Sequence, residues 1–514
     1  MTRTSNLALR LALGVAVLGE VSAARAQANQ PVTRPITLQE CLLTALQQNH
    51  ALQIQQLNPE IARATFSASR GYYDPIFAAD VRRESSTDSG GFDPADFSRD
   101  AVYAAESVVA KLGLMGVLPT GMRYFAGGNY ANSFGTRNYL NFDSYNLGAS
   151  ITVQQPLLKN FWIDQGRMTI QVNKRNLKIT ELGVTYVTMD VINQVQRAYY
   201  ELLAARDHLK VMLGLLDMRE TFLAGVQRQV EVGMMTPPDA QLAQSQRAAT
   251  QALVIMASNL VTLAENDLKT HLGESFTNYA GVPLAPREQL IVMPETFDLS
   301  ESWERGLRLR PDLAQLREDF QKANIDLKYR RNQLFPSLDI VAGYGRKGAS
   351  VIQTNFFYDT TASLTDALDQ MRHGDNPSDM IGVILTVPLG RTMERGTYRA
   401  SRQLKAQADL LVKQREQLVM REISDALSTA RTGWDQVQAT REAVQFAKAA
   451  LVAEERKLAG GKSSLFFVLQ LQRDLATAQA AEVRAKANYN RAVSQLHFAD
   501  ASLLEAKQIT MEYR

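Results

Sequence analysis

The sequence predicts a mainly α-helical protein that also carries transmembrane β strands, built as two repeats of helix, strand, strand and long helical hairpin. Three observations predict it. First, the chain has no proline after Pro388, and apolar residues recur every three or four positions from Tyr398 to Ala459, among them Leu404, Leu411, Leu418, Ile423, Leu427, Val437, Val444 and Leu451. At 1.5 Å per residue that arm alone is roughly 90 Å long, far beyond an ordinary helix of three or four turns. Second, short segments alternate apolar and polar residues over about nine to eleven positions, the length that crosses a bilayer when tilted. Third, the whole order of elements occurs twice.

In chain order, residues 1–26 read as a secretory signal peptide. Arg3 and Arg10 give the positive region, Leu11–Leu18 the apolar core, and Ala24-Arg25-Ala26 the cleavage site. The apolar core of about eight residues is much shorter than a membrane span. The full chain of 514 residues has net charge +3, with 21% charged and 45% hydrophobic residues. Loss of the signal leaves about +1, which argues against nucleic acid as a partner. The single cysteine, Cys41, excludes an intramolecular disulfide and sits in an amphipathic pattern with Leu38, Leu42, Ala45 and Leu46, which reads as core. No later run reaches 18 consecutive apolar residues, so no transmembrane helix is expected.

The first repeat (27–280) opens with a helical pattern over 36–70 that ends at Gly71-Tyr72-Tyr73-Asp74-Pro75. Phe77, Ala79 and Val81 then start a period of two. A polar stretch (84–100), strand-like pieces around a Leu118-Pro119-Thr120-Gly121 turn and an aromatic- and Asn-rich loop (129–145) follow. Leu147, Ala149, Ile151 and Val153 alternate with Gly148, Ser150, Thr152 and Gln154 up to Pro156. A long helix from about Arg167 to Val232 breaks at Gly233-Met234-Met235-Thr236-Pro237-Pro238, and a returning helix ends near Gly273. A proline-punctuated linker (281–300) leads to the second repeat (301–514).

There Arg310-Pro311-Asp312-Leu313 stands where Asn49-His50-Ala51-Leu52 stood, and Pro336 where Pro75 stood, at one constant offset. Leu338, Ile340, Ala342 and Tyr344 alternate, a loop (346–379) intervenes, and Ile381, Val383, Leu385 and Val387 alternate up to Pro388. The long helix then breaks at Gly460-Gly461-Lys462-Ser463-Ser464 and returns through Val468, Leu471 and Leu475. Strands near 76–83, 146–155, 337–345 and 380–388 make four per chain, too few to close a barrel, and open edges are not tolerated in lipid. Two copies would reach about eight strands and three about twelve, so a pore needs at least a trimer.

These residues resemble the TolC-like outer-membrane efflux family over nearly the whole mature chain. The match rests on the Asn49–Pro75 segment and its twin, on the strand exits Gln155-Pro156-Leu157-Leu158 and Val387-Pro388-Leu389-Gly390, and on the two hairpin breaks. The resemblance implies a homotrimer whose twelve-stranded barrel sits in outer-membrane lipid and continues as a periplasmic α-helical barrel. It also implies docking of the hairpin tips (Gly233, Met234, Thr236; Gly461, Ser463, Ser464) onto a periplasmic adaptor joined to an inner-membrane transporter. The implied function is a passive exit duct for efflux or type I secretion, with a periplasmic coiled-coil scaffold lacking a pore as the alternative. Near the second tip the family carries acidic residues where this chain has Phe467 and Gln470. Only Asp239, in the first repeat, keeps a carboxylate at the implied periplasmic constriction.

No enzymatic constellation appears. Gly343-Tyr344-Gly345-Arg346-Lys347-Gly348 matches a dinucleotide-binding spacing, but that site needs a helix opening directly after a buried strand, and here a polar loop follows. The five histidines are scattered, without a metal-ligand spacing, so neither an enzyme nor a cofactor is expected.

Overall fold

A computed structural model describes residues 34–88, 90, 92–93, 98–99, 103–137, 140–273, 282–353 and 361–506. The expected signal peptide and part of the polar 84–100 stretch lie outside them. In order, the elements begin with β1 (Arg34–Ile36), α1 (Leu38–Gln48), α2 (His50–Arg70), β2 (Ile76–Asp88), β3 (Phe92–Asp93), β4 (Ser98–Arg99), β5 (Tyr103–Val117) and β6 (Arg123–Arg137). Next come β7 (Leu140–Pro156), α3 (Gln165–Glu231), α4 (Pro237–Leu272), β8 (Leu284–Pro286), α5 (Leu299–Leu309), α6 (Pro311–Asn332) and β9 (Ser337–Gln353). The last are α7 (Leu364–His373), β10 (Asn376–Thr386), α8 (Thr392–Ala459), α9 (Leu465–Ala499) and α10 (Leu503–Ala506).

The repeat expected from sequence extends to the capping chemistry. Thr37 and Glu40 close a capping box on α1, with the Glu40 amide donating to Thr37 Oγ1 (3.2 Å) and the Thr37 amide to Glu40 Oε2 (2.9 Å). At the same offset, Asp298 caps α5 by accepting from the Glu301 amide at 3.0 Å. Asn49 and Arg310 then stop α1 and α5 in the same way, each in extended backbone, with its amide donating to the carbonyl of Ala45 or Gly306.

The chain divides into two compact units. One comprises Met1–Asn49, Gln194–Pro294 and Gly433–Arg491. It is helical, and α3 and α8, of 67 and 68 residues, each contribute part of their length to it. Met212 and Leu215 of α3 pack against Ala257 of α4 and Ala476 of α9, while Leu451 of α8 meets Val468 and Leu475 of α9. Alanine at 257 and 476 lets the helices approach closely. Among the described residues, α4 is the one helix long and apolar enough to cross a membrane by length and composition alone, although it holds no run of 18 consecutive apolar residues. Its leucines and methionine at Leu253, Met256, Leu260 and Leu263 are exposed in the single chain. In the same unit β1 pairs in parallel with β8, a short tie that the expected linker gave no hint of.

The other unit comprises His50–Asn193, Glu295–Thr432 and Ala492–Arg514. Here Val419, Ile423, Leu427 and Ala430 of α8 pack on Ala492, Leu496 and Ala499 of α9, with Trp303 and Leu307 of α5 against them. It also holds the main sheet, and the sheet corrects the sequence reading. It has six strands, in the order β10-β9-β7-β6-β5-β2, all antiparallel, where four were expected. The expected loop at 129–145 is largely the paired strands β6 and β7, and β2 runs on to Asp88. The Leu118–Gly121 turn is real and joins β5 to β6. The loop expected at 346–379 contains the end of β9, the start of β10 and α7. With six strands, two copies already reach about twelve, so strand counting no longer demands three.

Candidate membrane wall and hairpin tips

Directly paired residues of antiparallel strands share a face, so the register sorts the sheet. On one face lie Phe77, Ala79 and Val81 of β2, Leu114, Leu112 and Ala110 of β5, and Ala126 and Tyr130 of β6. The row continues through Ile151, Ala149 and Leu147 of β7, Ile340, Ala342 and Tyr344 of β9, and Leu385, Val383 and Ile381 of β10. It is almost wholly apolar, and Val81, Ile151 and Ile381 are 74%, 59% and 84% exposed. A soluble protein does not leave so large a patch bare. The opposite face carries Asp80, Arg82, Glu84, Lys111, Asn129, Ser150, Thr152 and Lys347, and Arg82 pairs with Glu84 at 2.9 Å. Apolar on one side and polar on the other is the pattern of a barrel wall between lipid and an aqueous lumen.

The helix α7 lies on the apolar face of β9. Ala367 is fully buried there, Gln370 Oε1 accepts from the Ala349 amide (3.1 Å), and the Arg346 guanidinium donates to the Arg372 carbonyl (3.2 Å).

The two hairpin tips share one geometry. Gly233 and Gly461 have φ of +76° and +70°, the left-handed conformation that ends a helix most cheaply at glycine. The Gly233 amide donates to Val230 and the next amide to Gln229; the Gly461 amide donates to Leu458 and the next to Lys457. A β-carbon at either glycine would meet no atom within 4 Å, so both turns are bare. Met234 beside Gly233 is 77% exposed, and Thr236 and Ser464 are exposed as well. Ser463 is half-buried, its hydroxyl donating to Glu454 Oε1 at 2.5 Å.

The expected constriction residues fall into two kinds. Asp239 completes the cap of α4, its Oδ2 accepting from the Thr236 hydroxyl (2.7 Å) and amide (3.0 Å). Those hydrogen bonds hold its carboxyl below the ordinary carboxylate value, so it stays ionised near neutral pH. Phe467 is 54% exposed while its neighbours Leu465, Val468 and Leu469 are buried, so within one chain it is not core. Gln470, one turn on, shares that exposed side.

A residue that the sequence did not signal lies beneath this tip. Arg219 of α3 is 3% exposed, its Nη2 donates to the Leu469 carbonyl at 2.7 Å, and its Nε and Nη1 have no partner among the described residues. Burial, then the like charge of Arg473, lowers its pKa. A buried cation without a carboxylate is costly, and an apolar side chain of similar length removes that cost. Arg219→Met is therefore expected to raise the unfolding free energy by about 1–3 kcal/mol, measured by thermal or denaturant unfolding in detergent.

A profile of the outer membrane efflux protein family matches residues 126–274 and 304–502, most of both repeats. The chain belongs to that family. Among relatives, outer membrane efflux protein BepC of Brucella suis is 25% identical over 327 residues, 61% of this chain and 65% of BepC, so the match spans just under two thirds of BepC's own length. The toluene efflux pump outer membrane protein TtgC of Pseudomonas putida is 24% identical over 86% of this chain and 78% of its own. The alkaline protease secretion protein AprF of Pseudomonas aeruginosa is 24% identical over 71% of each. The outer membrane protein VceC of Vibrio cholerae, 16% identical, shares the fold with a TM-score of 0.64 over 90% of this chain and 95% of that one. This family member is an outer-membrane protein, and its apolar sheet face is the part suited to lipid.

Proposed function

We propose that this family member is the outer-membrane exit duct of a tripartite efflux or type I secretion system. It works as a homotrimer that passively conducts substrate delivered by a periplasmic adaptor and an inner-membrane transporter. The observation that carries the reading is the two-faced sheet with two unpaired edges. Backbone groups left open in lipid cost several kcal/mol each, so β2 of one copy must find β10 of another, and a ring of copies encloses the polar face. A pore-free periplasmic scaffold, the alternative, would leave the row from Phe77 to Ile381 in water. Relatives include both a toluene efflux protein and a protease secretion protein, which supports a duct while leaving either cargo. Heat-modifiable mobility of the outer-membrane fraction tests the barrel: an unheated sample that runs as the heated one does would sink it. The adaptor that co-purifies then separates efflux from secretion.

Within this reading the Gly233 and Gly461 turns are the adaptor contacts, and the exposed Phe467 and Gln470 face the constriction. A ring of Phe467 excludes ions by dewetting whatever their sign, with the Asp239 carboxylates setting the residual cation preference. Planar-bilayer recordings are expected to show a resting conductance that rises severalfold in Phe467→Ala and a cation selectivity that falls in Asp239→Asn. Unchanged conductance in a folded Phe467→Ala assembly would place that ring between copies instead of in the path.

A further inference from the structure

We propose that the β5–β6 hairpin is a part of the membrane wall that widens the barrel by two strands per copy. The strand order makes the hairpin indispensable to the sheet: among the described residues β2 pairs only with β5, and β6 alone joins β5 to β7. If the hairpin left the wall, β2 would be cut off from the other strands. Its side chains also fit the position. Leu112 pairs with Ala79 and Leu114 with Phe77, which continues the lipid-facing row, and both leucines are exposed, at 56% and 47%. On the other side Lys111 pairs with Asp80 and with Asn129, which continues the polar lumen face.

The turn of the hairpin is fixed as firmly as its strands. The Leu118 amide donates to Met122 and the Gly121 amide to Leu118, both at 2.8 Å, and Gln155 Nε2 donates to the Thr120 carbonyl at 3.2 Å. Gly121 has φ +86°, and a β-carbon there would lie 2.5 Å from the Asn160 carbonyl oxygen, so the turn is seated against the segment that leads into α3. Direction is satisfied too. Six alternating strands leave β2 and β10 antiparallel where one copy meets the next, so the ring closes without a parallel step.

The size of the effect rests on the trimer proposed above. Three copies then close on about eighteen strands, and since diameter grows roughly linearly with strand number, the barrel is about 1.5-fold wider than one of twelve. Barrels of that strand number hold an open aqueous channel. The wall therefore does not select cargo by width, and selection falls to the hairpin tips.

Cryo-electron microscopy of the full-length assembly in lipid nanodiscs, viewed along its axis, counts the strands. Threefold particles with about eighteen strands are the expected result. Threefold particles with about twelve would overturn the proposal while leaving the duct reading intact. Twofold particles with about twelve would overturn the trimer but keep the hairpin in the wall. Cysteine labelling in outer-membrane vesicles gives a second, independent reading. The native Cys41 is buried and its thiol is pushed up to about 12, by burial first and then by Glu288 and Glu40, so its background is silent. A charged, membrane-impermeant maleimide should label Lys111→Cys and Asn129→Cys at least tenfold faster than Leu112→Cys and Leu114→Cys. Equal rates on both faces, with Ile151→Cys still protected, would overturn the proposal. Labelling of Ile151→Cys as well would overturn the membrane reading of the whole sheet.

Discussion

Asp312→Ala is expected to destabilise the protein by about 3–5 kcal/mol, the usual cost of removing one partner from a buried ion pair. Asp312 opens α6, where it accepts a two-pronged contact from Arg310 (Nε 3.0 Å, Nη2 2.8 Å) and a second from Arg415. Arg310 is 3% exposed and reaches on to Glu422 at 2.5 Å and to the Ala499 carbonyl at 3.3 Å. Without Asp312, the guanidinium stays buried with half of its bonds unmade. Burial alone would raise the Asp312 pKa, but the hydrogen bonds and charges of Arg310 and Arg415 outweigh it and hold the group below its ordinary 3.8. A depressed carboxylate stabilises the fold fully above that ordinary value and loses its effect as pH falls through the lower, folded one. Wild type should therefore lose this contribution only below about pH 4, and Asp312→Asn should lack that acid limb. Denaturant titrations of both variants across that range check the magnitude and the sign. A change of under about 1 kcal/mol in Asp312→Ala would show the network to be solvated in the assembly.

Gly461→Trp and Gly233→Trp are expected to abolish export while leaving the yield of assembled protein in the outer membrane unchanged. Both glycines sit at positive φ with open space around them. A side chain there costs about 1–2 kcal/mol of backbone strain, too little to unfold helices of this length. A tryptophan standing off a bare turn would, however, hold a docked adaptor away. Asparagine adopts the left-handed conformation readily and is small, so Gly461→Asn should retain export. Transport assays with quantified assembly separate the outcomes. Loss of the assembled protein itself would make the glycines folding determinants.

The parts of the fold that were legible in the sequence are those whose signal is one-dimensional. Ile423 and Leu427 recur at helical spacing and both line one core, with Val419 taking the place expected of its neighbour Leu418, so α8 could be read directly. The alternation from Leu147 to Val153 likewise placed β7. The turn at Leu118–Gly121 and strand-like pieces beside it were legible too, but not the full length of β5 and β6 or their place among the wall strands. Along β5, Val109 and Met115 stand on the polar face, which blurs the alternation. Along β6, Gly127, Gly128, Asn129 and Asn132 are turn-forming residues that read as loop. The sheet compensates with an aromatic: the Phe125 ring covers Gly113 and Gly127 on the same face, a partner that exists only once the strands pair. The tips were legible as breaks, because glycine and proline punctuate a helical pattern. Arg219 was not, since an arginine in a long amphipathic helix is ordinarily solvated and nothing in its own neighbourhood reports burial.

The unpaired edges of the sheet have a genetic consequence. On the proposed ring of copies, a newly exported polypeptide cannot finish its own barrel, so membrane insertion and subunit recruitment become a single cooperative event. Before it, Phe77 on one flank and Ile381 on the other are exposed, and open strand edges of this kind are ready templates for pairing with another chain. It also follows that a defective allele should be dominant. A proline in the middle of β10, at Val383, would poison every ring that it enters, and for the trimer proposed above only about one assembly in eight would escape at equal expression.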